Sequence, residues 1–105
     1  MEARRDVFQA IADPTRRQII ELLADKSLNL NELSEYFDVS RQAVSLHVKI
    51  LAECGLVVVH QRGRERYCEA KLEELAQVTD WIAYCRQFWA QKFRSLDQYL
   101  KNQQP

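Results

Sequence analysis

The sequence predicts a mainly α fold with one small β-hairpin, and three observations carry the prediction. Residues 29–55 read as two helices joined by a tight turn. Leu56-Val57-Val58-Val59 is then an apolar, largely β-branched run, followed by the basic tip His60-Gln61-Arg62-Gly63-Arg64-Glu65-Arg66 and the return Tyr67-Cys68, which is the pattern of a hairpin. From Lys71 to about Leu100 apolar residues step by three and four without interruption, the spacing of one long helix. A helix pair followed at once by a hairpin with arginines at its tip is a winged helix-turn-helix, here with a long C-terminal helix suited to dimerisation. The expected organisation is one domain over residues 1–105, with the helix-turn-helix at 29–55, the wing at 56–69 and the terminal dimerisation helix at 71–100.

Taken in order, residues 4–12 form a short amphipathic helix with Val7, Phe8 and Ile11 apolar. Asp13-Pro14 marks the next boundary, since Asp caps and Pro at the first helical position needs no hydrogen-bond donor. The second helix covers residues 14–24 and turns Ile19, Ile20, Leu22 and Leu23 partly inward. Arg16 and Arg17 stand in its first turn, where the helix dipole disfavours cations. An ion pair, a nearby phosphate and plain solvation are all open explanations. Asp25-Lys26-Ser27 is a connector.

Asn29 is placed to cap the next helix, with Glu32 three residues on completing a capping box. Leu30, Leu33 and Phe37 share a face, and Asp38-Val39-Ser40 breaks the period. Ser40 caps a second helix that buries Ala43, Val44, Leu51 and either Val48 or Leu46, and Gly55 supplies the left-handed residue that ends it. The outer face carries Arg41, Gln42, Ser45, His47 and Lys49, with no acid before Glu53. These are donors and acceptors of the reach that reads base edges and phosphates, whereas a merely solvated face mixes both charges. Two helices of an all-helical core with a polar outer face would give a similar pattern, but the arginine-tipped hairpin that follows argues against it.

The terminal helix places Leu72, Leu75, Val78, Ile82, Cys85, Trp89, Phe93 (or Lys92), Leu96 and Leu100 on one stripe, with Trp81, Tyr84 and Phe88 beside it. Six of the ten aromatic residues fall between Trp81 and Tyr99, so the apolar face is wide as well as long. About 30 residues of helix span roughly 45 Å, more than a domain of this size covers with its own core. The expected cover is the same helix of a second subunit, helped by the apolar face of the first helix. The expected interface is Val7, Phe8, Ile11, Trp81, Ile82, Cys85, Phe88, Trp89, Phe93 and Leu96. An aromatic ligand box is the competing reading of the same residues. Residues 102–105 form a polar tail.

The totals are those of a small globular protein: 47% hydrophobic, 29% charged, and only two Gly and two Pro in 105 residues. Neither a signal peptide nor an apolar run of transmembrane length is present, so a cytoplasmic location is expected. Cys54, Cys68 and Cys85 are odd in number and contain no Cys-x-x-Cys, which fits reduced thiols. Cys68, which follows three wing arginines, is the thiol with the most reactive setting, although a structural role is the simpler reading. The formal net charge of zero hides a dipole. Residues 40–66 hold five Lys or Arg (41, 49, 62, 64, 66) against two acids (53, 65), leaving ten basic and thirteen acidic residues elsewhere. A local basic patch is what phosphate requires. No phosphate loop, no Gly-x-Ser-x-Gly and no paired histidines occur, so an enzyme is not expected. His47 and His60 lie on the recognition helix and the wing, where DNA contact and plain solvation compete.

With these pieces in hand the chain resembles the ArsR (arsenic-repressor-like) family of bacterial winged-helix regulators. The likeness rests on Asp13-Pro14-Thr15-Arg16-Arg17-Gln18-Ile19-Ile20-Glu21-Leu22-Leu23, Glu32-Leu33, Ser40-Arg41-Gln42-Ala43-Val44-Ser45-Leu46-His47-Val48-Lys49-Ile50-Leu51, and Gly55-Leu56-Val57 leading to Arg62-Gly63-Arg64. It extends from about Asp6 to Leu100. The resemblance implies a homodimer, paired through its first and last helices, that represses transcription from a roughly palindromic operator and in many members is released by an inducer. The resemblance is to a branch of the family without a metal site. Relatives that sense thiophilic metals carry clustered cysteines where this chain reads Asn31-Glu32-Leu33-Ser34-Glu35-Tyr36-Phe37, and zinc sensors use Asp and His along the terminal helix, which here offers Asp80, Asp97 and no histidine. No cofactor is therefore expected. The expected DNA-binding set is Ser40, Arg41, Gln42, Ser45, His47, Lys49, Arg62, Arg64 and Arg66, with Gln42, Ser45 and His47 on bases and the rest on phosphates. The alternative function is a winged-helix module that binds protein through its aromatic terminal helix.

Overall fold

The structure is a computed structural model that describes residues 6–103. The fold is mainly helical with a small antiparallel sheet, as expected, and it divides into two compact units, one ending at Leu75 and one beginning at Ala76. The first contains α1 (Val7–Ala10), α2 (Pro14–Leu23), β1 (Leu28–Asn29), α3 (Leu30–Ser34), α4 (Arg41–Glu53), β2 (Val57–Arg62), β3 (Glu65–Ala70) and a 3-10 turn over Glu73–Leu75. The second is α5 (Ala76–Asn102).

Helix α1 is shorter than its sequence pattern suggested. Asp6 caps it, accepting from the Gln9 N–H at 2.9 Å while the Gln9 side chain accepts from the Asp6 N–H at 3.2 Å. The start expected at Arg4 lies outside the described residues. In so short a helix Val7 and Ala10, three apart, share the buried face at 2% and 0% exposure, and Phe8 lies off it at 38%. Val7, expected to face a second subunit, thus belongs to the chain's own core; Phe8 and the half-buried Ile11 remain at the surface.

The arginine pair of α2 has a tertiary explanation. Arg16 donates from Nε to the Ala10 carbonyl at 2.7 Å and from Nη2 to the Gln9 carbonyl at 3.0 Å, and Arg17 donates to the Ile11 carbonyl at 2.7 Å. The two guanidiniums donate to the carbonyls at the end of α1, where cations are favoured. The cost of cations near the start of α2 is offset by Asp13. Its carboxylate accepts from the N–H groups of Thr15 at 2.8 Å and Arg16 at 3.2 Å, with Pro14 at the first helical position as expected.

Both caps of the helix pair are as the sequence predicts. Asn29 Oδ1 accepts from the Glu32 N–H and the Glu32 carboxylate accepts from the Asn29 N–H, at 2.8 and 3.0 Å. Regular α-helix ends at Ser34; Glu35, Tyr36 and Phe37 continue with N–H donation to the third residue back, a tighter winding that leads into the turn. Ser40 Oγ accepts from the Ala43 N–H at 3.1 Å and starts α4. The helix ends in a Schellman motif. Leu56 N–H reaches the Leu51 carbonyl at 3.0 Å, Gly55 N–H reaches the Ala52 carbonyl at 3.1 Å, and Gly55 sits at φ +80°. Leu51 and Leu56, the apolar pair that accompanies this motif, are fully buried.

The wing is larger than the expected hairpin. β1 adds to it, giving a three-stranded antiparallel sheet in the order β1-β3-β2, with Leu28 opposite Cys68 and Asn29 opposite Tyr67. A strand of two residues, the second of which is also the cap of α3, carries no alternation and so has no sequence signal of its own. β2 and β3 pair from Val57 opposite Ala70 to Arg62 opposite Glu65, joined by Gly63-Arg64 with Gly63 at φ +61°. Glycine with positive φ at the first of two loop positions is what a tight hairpin turn of the right twist needs. The core beneath is apolar throughout: Ile19, Leu23, Leu28, Leu33, Val44, Val48, Leu51, Leu56, Val57 and Cys68 are all buried, and no buried polar side chain occurs among the described residues.

The terminal helix begins at Ala76 rather than Lys71. The Lys71 N–H still serves the sheet, donating to the Leu56 carbonyl at 2.8 Å, and Glu73–Leu75 forms a 3-10 turn. α5 contains 27 residues, about 40 Å at 1.5 Å per residue. None of its residues is buried, and Trp81, Ile82, Phe88, Trp89, Phe93 and Leu96 are between 41% and 64% exposed. Among the described residues no helix is long and apolar enough to cross a membrane.

Candidate nucleic-acid interface

Helix α4 and the wing together present the basic surface. The core face of α4 runs through Val44, Val48 and Leu51, which settles the choice between Val48 and Leu46: Val48 is buried and Leu46 is exposed. The opposite face exposes Arg41, Gln42, Ser45, Leu46 and Lys49. Ser40 uses an oxygen lone pair as the cap, which leaves its hydroxyl proton to donate outward.

A cleft of about 200 Å³ opens between the start of this helix, the start of α3 and the wing tip, lined by Asn29, Asn31, Arg41, Arg64, Glu65 and Arg66 among others. Three arginines therefore line one concavity, contributed by two elements far apart in sequence. Glu65, the acid among them, is held in place. Its Oε2 accepts from Asn29 Nδ2 at 2.9 Å and from the Tyr67 hydroxyl at 3.1 Å. Asn29 thus caps α3 with its oxygen and ties the wing with its nitrogen. The hydrogen bond to Glu65 and the charge of that carboxylate push the Tyr67 pKa above the ordinary phenol value. This brace was not foreseen, because it needs the β1–β3 pairing that sets Asn29 opposite Tyr67.

Of the nine expected contact residues Arg41, Arg64 and Arg66 line the cleft, and two of the others are engaged elsewhere. Arg62 lies over the Tyr67 ring, its guanidinium carbon 5.3 Å from the centroid. His47 is half-buried, and its Nδ1 lies 3.4 Å from Arg16 Nη1, so it joins α4 to the arginine that closes α1. His60 pairs with Glu69 at 2.9 Å on the exposed side of the hairpin. Cys68 is buried, and desolvation raises its thiol pKa, against a smaller opposing effect of Arg66. A thiol of that kind is protonated and inert at neutral pH. Among the described residues no group of three or more His, Cys, Asp or Glu is arranged to hold a metal ion.

This fold and surface define a winged helix-turn-helix protein with a basic face built from the recognition helix and the wing. The chain belongs to the arsR family of bacterial regulatory proteins, whose pattern it matches over residues 13–59, and is a DNA-binding transcriptional regulator. It is 31% identical over 77 residues to the transcriptional repressor SdpR of Bacillus subtilis, covering 73% of this chain and 86% of that one. It is 46% identical over 59 residues to the HTH-type transcriptional regulator Rv2034 of Mycobacterium tuberculosis, covering 56% of this chain and 55% of that one. Among solved structures, an ArsR-like transcriptional regulator from Rhodococcus sp. RHA1 superposes with a TM-score of 0.80 at 28% identity, over 93% of this chain and 90% of that one.

Proposed function

We propose that the protein is a cytoplasmic, homodimeric repressor that binds a palindromic operator in duplex DNA. The observation that carries this reading is the convergence of Arg41, Arg64 and Arg66 on one cleft beside the outer face of α4, which carries no acid before Glu53. In this reading α4 enters the major groove with Gln42 and Ser45 on base edges. Ser40, Arg41 and Lys49 lie along the phosphates, and the first turn of α4 adds its free N–H groups. Arg64 and Arg66 follow the backbone from the wing, with Arg62 behind them on the Tyr67 ring. His47 acts mainly by steadying α4 through Arg16.

The dimer reading is supported by the exposed apolar face of α5. Stacking Trp81, Ile82, Cys85, Phe88, Trp89, Phe93 and Leu96 against the same helix of a second copy would remove that face from water, at about 25 cal/mol per Å² of apolar area. Two identical subunits related by a two-fold axis read a two-fold site. Selection of bound sequences from random duplex DNA with the purified protein tests the function. An inverted repeat with half-sites about one helical turn apart is expected; a failure to enrich any sequence, or enrichment of a single unrepeated half-site, would contradict it.

A further inference from the structure

Leu46 is 57% exposed on the outward face of α4. At 3.6 residues per turn it lies almost diametrically opposite the buried stripe of Val44, Val48 and Leu51. Its neighbours on that face are Gln42 one turn before and Lys49 one turn after, both exposed. Single exposed leucines are ordinary on protein surfaces, but this one occupies the position that the proposed docking carries deepest into the major groove.

We infer that Leu46 is a specificity-determining residue that packs on the C5-methyl group of a thymine. The inference rests on the DNA-binding reading and adds to it the identity of one base. Leucine has no donor or acceptor, so it can pair with no polar base edge. The apolar group that the major groove offers is the thymine methyl. A cytosine at the same place presents a bare C5–H where thymine carries the methyl, so the apolar contact is lost. The discrimination is therefore the gain or loss of that one apolar contact. Gln42, one turn away on the same face, can pair with an adenine edge, so the two side chains together suit an A·T-containing step.

Replacing thymine by deoxyuridine removes only that methyl group. Duplexes enriched from the random library would be remade with each thymine of one half-site replaced in turn. Their affinities would be measured with the wild type, Leu46→Ala and Gln42→Ala. Leu46 is exposed, so its replacement leaves the core intact, which circular dichroism checks. One replacement is expected to weaken wild-type binding about fourfold, the worth of one methyl-sized group removed from water. Leu46→Ala should bind more weakly and be indifferent to that same replacement, while Gln42→Ala keeps the sensitivity. Wild-type binding that tolerates every single replacement would overturn the inference and leave the DNA-binding reading intact, as would full sensitivity retained by Leu46→Ala. Failure to enrich any duplex would overturn both.

Discussion

Asp13 concentrates three roles in one carboxylate. It caps α2, offsets the cations of the first turn, and by doing so lets Arg16 and Arg17 hold the end of α1. Desolvation raises its pKa, but the N–H groups of Arg16 and Thr15 and the charges of His47 and Arg16 lower it further, and the net value lies below the ordinary 3.8. Asp13→Ala is expected to lower the unfolding free energy by about 1 kcal/mol at pH 7, read from urea denaturation. Asp13→Asn keeps a capping oxygen and should cost less. A depressed folded pKa gives stability that is complete above the unfolded value, about 3.9, and is lost as pH falls through the folded one. The gap between wild type and Asp13→Asn should therefore stay constant from pH 7 to about 5 and close below pH 4. The arginine pair, visible in the sequence as an anomaly against the helix dipole, could be explained only when the partner carbonyls were located. Six or seven residues separate each arginine from its acceptors, and no local pattern encodes that turn of the chain.

Helix ends marked by a local cap were legible from the chain alone. Asn29 with Glu32, Ser40 and Gly55 each satisfy backbone groups that would otherwise lack partners, and each signal is written within four residues. What escaped was set by pairing over longer distances. β1 exists because Leu28 and Asn29 find Cys68 and Tyr67, and α5 starts late because Lys71 is still bonded to the sheet. The end of α4 gives a sharp test of this account. A Cβ on Gly55 would lie 3.2 Å from Glu74 Cγ in addition to adopting φ +80°, whereas one on Gly63, at φ +61°, meets nothing within 4 Å. Both alanine variants pay for the left-handed backbone, about 1 kcal/mol each. Gly55→Ala should lose more, because the side chain of Glu74 must also move. Thermal and urea denaturation of the two variants give the comparison, and an equal loss would show that the contact with Glu74 is freely relieved.

At the scale of the whole molecule the charge is divided as the function requires, with the basic residues of α4 and the wing set against a net acidic remainder. The exposed aromatic face of α5 is the other large feature, and dimerisation is the proposed reason for it. Trp89→Glu would place a charge in that seam without a partner, at several kcal/mol. Sedimentation at micromolar concentration is expected to show a dimer for the wild type and a shift toward monomer for the variant; a folded wild-type monomer would contradict the proposal. If α4 reads bases while the wing holds phosphates, the two contributions separate in equilibrium binding across a salt series. Wild type, Gln42→Ala and Arg64→Ala would be titrated against the enriched duplex and a random one. Each phosphate contact contributes about 0.9 to the slope of log affinity against log salt, so losing Arg64 from both wings should reduce it by up to roughly 1.8 on either duplex. Gln42→Ala should leave the slope nearly unchanged and cost about 1–3 kcal/mol per half-site on the enriched duplex alone. Equal weakening of both duplexes by Gln42→Ala, or an unchanged slope for Arg64→Ala, would contradict the account.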